Sequence, residues 1–466
     1  MLDAGKKHAM RDYARESFWF DTLDEGLSPR PPLDVSDRCD IAIVGGGYTG
    51  LWTAYALKKR DPALDVRICE SDVVGAGASG RNGGWCMGEM SGVRSLLSHP
   101  RHGDAARRLQ AQLFRSVDEI GSIAESEGID CDFKKGGALK LARLPAHRVR
   151  MQEELARLRD AGFGDDCYRF LTAEECAERV RGQDFSGALF SVHMAALNPA
   201  RLVRGLARAV EAQGVRLYEG SPVREIRRAG LRTDRAHLNA DRVVLATEGF
   251  TPRVKGRRRR LIPIHSMMIA TEPLSASMWD SIGLRDRELF GDWRRVTVYG
   301  QRTADDRIAF GGRGVYTFGS QARTAFSPDE PIFERVREGM LSLLPQLESV
   351  EITHRWGGPL GVPRDGTTRV QNASTSGPAL GGGYVGEGVM ASYWIGSTLA
   401  DLLTDQATER TEMSWLQRDF PLWEIEPLRW LGVTGVRRLA ERLDEAEERG
   451  RKANPFLSRL CARFLP

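Results

Sequence analysis

Cysteine is sparse and unpatterned: seven residues, at 39, 69, 86, 131, 167, 176 and 461, in a chain of 466. The count is odd and there is no Cys-x-x-Cys pair. This argues against a disulfide scaffold and a thiolate zinc site, and fits reduced thiols in a cytoplasmic setting. No run of 18 apolar residues exists, which argues against a transmembrane helix, and the first 35 residues are too charged for a secretory signal. Charge of one sign is also missing. With 67 basic and 63 acidic residues the net charge is +4, so no bulk field draws nucleic acid. The basic run Lys255-Gly256-Arg257-Arg258-Arg259-Arg260 has no interleaved aromatics and reads as a solvated loop. There is no internal repeat and no low-complexity segment. No metal site is expected. The length allows two or three domains at the usual ~150 residues each.

What the chain does have is glycine placed with purpose. The apolar run Ile41-Ala42-Ile43-Val44 leads into Gly45-Gly46-Gly47-Tyr48-Thr49-Gly50, and a helical pattern follows from Leu51 to Leu57. A second apolar run, Asp65 to Cys69, ends in Glu70, 25 residues after Gly45 (70 − 45). Strand, Gly-x-Gly-x-x-Gly, helix, strand and acid, in that order, is the signature of a dinucleotide grip. Gly45 permits the tight turn, Gly47 lets the backbone approach a pyrophosphate, and Gly50 lets the helix sit close to the strand. The helix N-terminus carrying Tyr48 and Thr49 offers N–H groups and a partial positive charge. Glu70 would accept from a ribose. These parts alone do not choose between NAD and FAD.

Further along, apolar spacing predicts helices over about 104–126 and 148–160, and Thr172 with Glu175 forms a capping box. Asn198-Pro199 reads as N-cap and first residue of another helix, ended by Gly214. Strands are expected at 215–218, 222–227 and 242–246, and the stretch 262–355 is strand-rich. Amphipathic helices are expected in the tail. A second Gly-x-Gly-x-x-Gly occurs at Gly381 to Gly386. Only Pro378-Ala379-Leu380 precedes it and no strand follows its helix, so it reads as a loop running into a helix over Val389 to Leu403 rather than a second nucleotide fold.

Directly after Glu70, the stretch Val74 to Trp85 is so rich in glycine that it cannot form an ordinary helix or strand. Ser79, Arg81 and Asn82 in it supply donors to a ligand at the strand's carboxyl end. On this stretch, the Gly45–Gly50 turn, Glu70, Asn198 to Leu202, Val243 to Gly249, and Gly382 to Val389, the chain resembles the FAD-dependent D-amino-acid oxidase (DAO) superfamily. The branch with glycine oxidase, sarcosine oxidase and γ-glutamylputrescine oxidase is most similar, and Leu51 to Gly84 also resembles aminophosphonate oxidoreductases.

The resemblance implies an α/β fold: a FAD-binding Rossmann-like domain (38–95, 196–261 and 356–410) interleaved with a mixed-sheet α+β substrate domain (96–195 and 262–355). A polar lead-in (1–37) and a C-terminal helical tail (411–466) flank them. It implies that Gly45, Gly47, Tyr48, Thr49 and Gly50 hold the FAD pyrophosphate and Glu70 the adenosine ribose. Gly77, Ala78, Ser79, Gly80, Arg81, Asn82, Gly83 and Gly84 would follow the ribityl chain and flavin. Val223 would grip adenine, and Ala246 and Thr247 would pass beneath the cofactor. Gly386, Glu387, Gly388, Val389 and Met390 would face the flavin pyrimidine edge, where a helix N-terminus favours negative charge. FAD is expected to be held without a covalent bond, since no cysteine lies in the late glycine region and Cys86 could tether a flavin only if it reached the ring.

The implied reaction is oxidation of a small primary or secondary amine, with O2 or another electron acceptor. A 2-hydroxy-acid dehydrogenase and a non-catalytic flavin-binding protein are the alternatives. Arg313, just past a strand, is a candidate anchor for a carboxylate or phosphonate. His265 is a second candidate catalytic residue, with His193 beside it as a possible seam residue. Trp356 reads as packing. Sarcosine oxidases carry a lysine on the strand that holds Ala309 here, and its absence weighs against fast oxidase activity.

Overall fold

The computed structural model describes residues 12–23, 27–227, 229–373, 377–413 and 415–464. Two eight-stranded sheets organise them. Across the first sheet the order is Arg369–Gln371, Ala379–Gly382, His237–Leu245, Asp37–Val44, Val66–Cys69 and Arg216–Tyr218. The last five run parallel, and Arg369–Gln371 is an antiparallel edge. Glu225–Arg227 and Gly230–Arg232 form a hairpin that pairs with the start of His237–Leu245.

A parallel sheet is buried on both faces, which explains the unbroken apolar runs. Ile41 and Ile43 point into the large core under the helices, while Ala42 and Val44 point into a smaller core with Leu238 and Ala240 on the other face. Helices Tyr48–Arg60 and Gly388–Leu403 cover the first face side by side. At Gly396 a Cβ would stand 2.8 Å from the Thr53 amide nitrogen, so the two backbones touch.

The second sheet runs Ile352–Val362, Ile262–Thr271, Ile308–Tyr316, Val298–Arg302, Leu289–Asp292, Ala138–Leu141, Ala188–Ser191 and Tyr168–Leu171. Only Leu289–Asp292 with Ala138–Leu141 is parallel, so the sheet is mixed. A ribbon of Trp85–Met87 and Met194–Ala196 lies beside it. The fold is therefore α/β, with a Rossmann-like parallel sheet and a mixed second sheet contributed by interleaved stretches of chain.

Local sequence signals map closely onto these elements. The helices expected at 104–126 and 148–160 span Gly103–Ser126 and Pro145–Asp160. The Thr172–Glu175 capping box forms, and the Asn198 side chain caps Pro199–Ala212 by accepting from Ala200 and Arg201 N–H at 3.1 Å. Three features differ. Ala379–Gly382 is a strand, where only a loop was expected, because the sheet supplies partners that a four-residue stretch does not advertise. Gly230–Arg232 completes an unforeseen hairpin. The lead-in is not simply polar: Phe18, Trp19 and Phe20 form a short helix buried against Trp356 and Met268. The tail helices Leu428–Glu448 and Pro455–Phe464 dock beside the second sheet, where Asp444 takes the Arg295 guanidinium at 3.0 Å.

Candidate active site

One cavity of about 560 Å³ runs along the carboxyl ends of the parallel strands. Each of five adjacent strands delivers its following loop to it. Arg216–Tyr218 is followed by Pro222 and Val223, Val66–Cys69 by Glu70 and Ser71, and Asp37–Val44 by Gly45 and Gly47. His237–Leu245 is followed by Ala246, Thr247 and Glu248, and Ala379–Gly382 by Tyr384 and Gly386. Four strand spacings of about 4.8 Å make this row roughly 19 Å long, the reach of an extended dinucleotide.

The first turn is built by close backbone approach. Gly45 has φ +112°, and a Cβ there would sit 2.5 Å from the Ala246 carbonyl oxygen. A Cβ on Gly50 would sit 2.1 Å from the Gly45 carbonyl oxygen, so the helix rests on the turn itself. Gly47 is the N-cap with no side chain to close the helix end, and the first turn has no acid. That N-terminus opens to the cavity and suits an anion. Ser79 accepts from the Tyr48 N–H at 2.9 Å, joining the turn to the Gly75–Gly84 loop. The Glu70 carboxylate accepts from the Gly46 N–H at 2.7 Å, the Asp72 N–H at 2.9 Å and the Ser71 hydroxyl at 3.0 Å. Burial pushes its pKa up against these bonds.

At the opposite end Glu248 is the organising group. Its φ is +39°. Its carboxylate accepts from Gly383 N–H at 2.9 Å, Tyr384 N–H at 3.0 Å and Gly361 N–H at 2.5 Å. It thereby ties the late glycine turn to Ile352–Val362 of the second sheet. Burial pushes Glu248 up to about 7, opposed by those backbone donors. The Tyr384 hydroxyl meets Thr49 Oγ1 at 2.7 Å, linking the two turns. The helix Gly388–Leu403 also begins at the cavity with no acid in its first turn.

Of the residues singled out from sequence, Gly45, Gly47, Tyr48, Thr49, Glu70, Gly77, Ala78, Ser79, Asn82, Val223, Ala246, Thr247, Gly386, Gly388 and Val389 line this one cavity. Gly50, Gly80, Arg81, Gly83, Gly84, Glu387 and Met390 stand behind the lining. Arg81 is 2% exposed and spends its guanidinium on the Ala76 and Thr324 carbonyls and on Glu16, holding the lead-in onto the glycine loop. His265 is 1% exposed. One ring nitrogen is 3.0 Å from the Val315 carbonyl and the other accepts from the Arg323 N–H at 2.8 Å. Both nitrogens are occupied by the protein, it does not line the cavity, and burial lowers its pKa, so it serves as a structural residue. His193 lies face to face with Phe114 at 4.1 Å. Trp356 packs against Trp19 and donates to the Arg81 carbonyl at 2.9 Å. Arg313 pairs through its backbone with Ser266, and its side chain lies outside the described residues.

Sequence reasoning overlooked Glu248 as a site residue, together with Phe250, Arg253, Leu360 and Ser392 of the lining. Glu248 stood inside a quoted stretch, Val243 to Gly249. Its signal, a lone acid directly after a buried strand end, gains meaning only once Gly361 and Gly383 arrive from elsewhere.

The donor set fits an extended dinucleotide such as FAD: two helix N-termini suit negative charge, Glu70 can accept from hydroxyls, and one trough is long enough for both halves. The cavity thus defines a dinucleotide-binding fold. The chain belongs to the DAO family of FAD-dependent oxidoreductases, whose sequence profile matches residues 40–402. It is 29% identical over 393 residues to the γ-glutamylputrescine oxidoreductase of Escherichia coli, covering 83% of this chain and 86% of that protein. It is 27% identical over 412 residues to the probable oxidoreductase OrdL of Haemophilus influenzae, covering 85% and 89%. The fold is similar to glycine oxidase from Geobacillus kaustophilus, with a TM-score of 0.67 and 22% identity over 82% of this chain and all of that one. Among the described residues no helix is long and apolar enough to cross a membrane, and no cluster of metal-binding side chains occurs.

Proposed function

We propose that this enzyme oxidises a small primary or secondary amine, such as an amino acid, a polyamine derivative or an aminophosphonate, to an imine that water then hydrolyses. The observation that carries the reading is the single trough across five strand ends, closed at its far end by the late glycine turn and a second helix N-terminus. FAD bound there would supply the acceptor for the hydride equivalent leaving the substrate carbon. The chain supplies the rest. Gly45, Gly47 and the Thr49 amide would hold the pyrophosphate, with Tyr48 lining it and its amide fixed on Ser79, while Glu70 would hold the ribose and Val223 the adenine. Ser79 and Asn82 follow the ribityl chain, and Gly386 to Met390 present positive potential to the ring edge. The substrate nitrogen must be neutral when the hydride leaves, and the protein's part is to orient the C–H bond in a dry site.

FAD is held without a covalent bond in this reading. Among the described residues the one cysteine on the cavity wall, Cys69, is at the Glu70 end, and burial pushes its thiol up to about 12. Cys86 is fully buried, with its thiol pushed up as well. The protein should purify yellow, or turn yellow with added FAD, and bleach anaerobically with the right amine. A colourless protein that takes up no FAD would sink the reading. Bleaching by 2-hydroxy acids but no amine would replace it with a hydroxy-acid dehydrogenase.

A further inference from the structure

Large apolar side chains are exposed almost only in one region. Of the eleven exposed among the described residues, seven lie between Leu422 and Phe464, and two more, Val315 and Phe318, stand on a turn that this segment clamps. Glu426 accepts from the Gly319 N–H at 3.0 Å, and the Arg429 guanidinium donates to the Tyr316 hydroxyl at 2.7 Å. That turn is therefore a neighbour of the start of helix Leu428–Glu448. The Arg364 guanidinium lies over the Trp423 ring at 5.3 Å and over the Phe464 ring at 5.9 Å. This brings the end of helix Pro455–Phe464 beside Leu422 and Ile425. Single exposed apolar residues are ordinary, but their gathering on adjoining segments marks a contact surface.

The helix Pro455–Phe464 has two apolar faces. Leu457 and Cys461 pack with Ala440 and Leu443 of the preceding helix. Phe456, Leu460 and Phe464 recur at four-residue spacing and are 73%, 40% and 45% exposed. Covering a core would need the first face alone. Charge is segregated in the same place. From Arg449 to Pro466 there are five basic residues and no acid, so the rest of the chain sums to −1 (4 − 5). The acids of helix Leu428–Glu448 are already spent. Asp444 and Glu447 pair with Arg295, Glu448 with Arg143, Glu441 with Arg437 and Glu445 with Arg449. Arg451, Lys452 and Arg459 are exposed and have no acid partner among the described residues.

We propose that this surface seats the enzyme on an anionic lipid membrane. The Phe456–Leu460–Phe464 stripe enters the headgroup layer, and Arg451, Lys452 and Arg459 meet the lipid phosphates. An apolar stripe flanked by unpaired cations suits a helix lying in the membrane interface, which needs no spanning segment. Charge decides against a second copy as the occupant, since a two-fold contact through this patch would set five positive charges against five. The seat also backs onto the cavity. Trp423 and Trp430 pack with Val385, next to Gly386 of the cavity lining. It does not depend on which substrate the enzyme oxidises.

The test is co-sedimentation of the FAD-loaded enzyme with vesicles of phosphatidylcholine alone, or of phosphatidylcholine with about a third phosphatidylglycerol. Affinity for the anionic vesicles should be about tenfold higher or more, and the difference should shrink as salt is raised. Phe456→Ser, Leu460→Ser and Phe464→Ser together should weaken binding to the anionic vesicles about tenfold. Arg451→Gln, Lys452→Gln and Arg459→Gln together should remove the preference for anionic lipid. All six side chains are exposed, so flavin content and Tm should match the wild type in both variants. If the serine variant loses its fold, the glutamine variant decides. No binding, or equal binding to both vesicles, overturns the proposal. So does a dimer, seen by light scattering, that the serine variant dissociates while vesicle binding stays unchanged, because the surface would then join two copies.

Discussion

The two glycine turns of the trough are built alike and held differently. Each follows a parallel strand and opens a long helix, Tyr48–Arg60 in one case and Gly388–Leu403 in the other. Gly45 and Gly386 even share φ +112°. At Gly45 the carbonyl of Ala246 leaves no room for a side chain, so backbone contact shapes the turn, with Glu70 accepting from the Gly46 N–H beside it. At Gly386 the nearest atom to an added Cβ would be a Leu360 methyl at 3.6 Å, ordinary contact distance. The late turn is set by the Glu248 carboxylate on Gly383 and Tyr384 N–H. Both turns take a buried carboxylate from a neighbouring strand end, Glu70 on Gly46 and Glu248 on Gly383, but at Gly45 backbone sterics hold the turn as well, whereas Gly386 leaves room for a Cβ. The Gly45 end is therefore held by close backbone packing as well as by a carboxylate, while the Gly386 end depends on a carboxylate that also bridges to the second sheet.

The sharpest way to break this contrast is Gly45→Val. It forces a branched side chain into the Ala246 carbonyl with a positive φ, a cost of roughly 3 kcal/mol or more. FAD binding should be lost, seen as colourless protein with a lowered denaturant midpoint. Gly386→Ala, with the same φ but open space, should cost only about 1 kcal/mol and retain flavin. Equal effects of the two would erase the contrast.

Next in size is Glu248→Gln. The amide nitrogen would face the Gly361 N–H, donor against donor, so the late turn loosens while the Gly45 turn stays. FAD affinity, read by quenching of flavin fluorescence, should weaken about tenfold. Unchanged affinity would show that the turn holds itself.

A smaller effect follows from the titration of Glu248. Its native pKa is raised from 4.5 to about 7 by burial. The native state therefore holds a proton between those values that the unfolded chain releases. The contribution of this group to stability is fully present below about pH 4.5 and is lost as pH rises through about 7. The Tm difference between wild-type and Glu248→Gln apoprotein should shift against the wild type from pH 5 to pH 8 and flatten above it. A flat difference across that range would place the Glu248 pKa near its ordinary value.

The smallest effect is expected at Cys86. Cys86→Ser should keep its flavin, and acid precipitation of the wild type should leave FAD in the supernatant. A yellow pellet would show a covalent link.

Much of the trough was legible in the sequence because its parts are local. Gly45, Gly47 and Gly50 lie within six residues as a recognisable motif, although only Gly50 is needed for a local contact, with Gly45 close to Ala246 and Gly47 to Ser79. Capping at Thr172 and Asn198 is equally short-range. Arg81 and His265 misled because a polar side chain in a suggestive place is the same letter whether it faces a ligand or closes a structural bond. Arg81 turned out to bind the lead-in, and His265 two backbone groups. The strand Ala379–Gly382 escaped notice because four residues carry too little pattern to declare pairing that the sheet imposes.

The sequence by itself determined the βαβ unit, a dinucleotide grip and the residues of the first turn, since periodicity and turn chemistry act over a few residues, while FAD in particular followed from the family resemblance. Tertiary structure alone decided that Glu248 would gather three amides from two distant segments. That gathering comes from hydrogen bonding between stretches far apart in the chain, whose mutual placement no local pattern encodes.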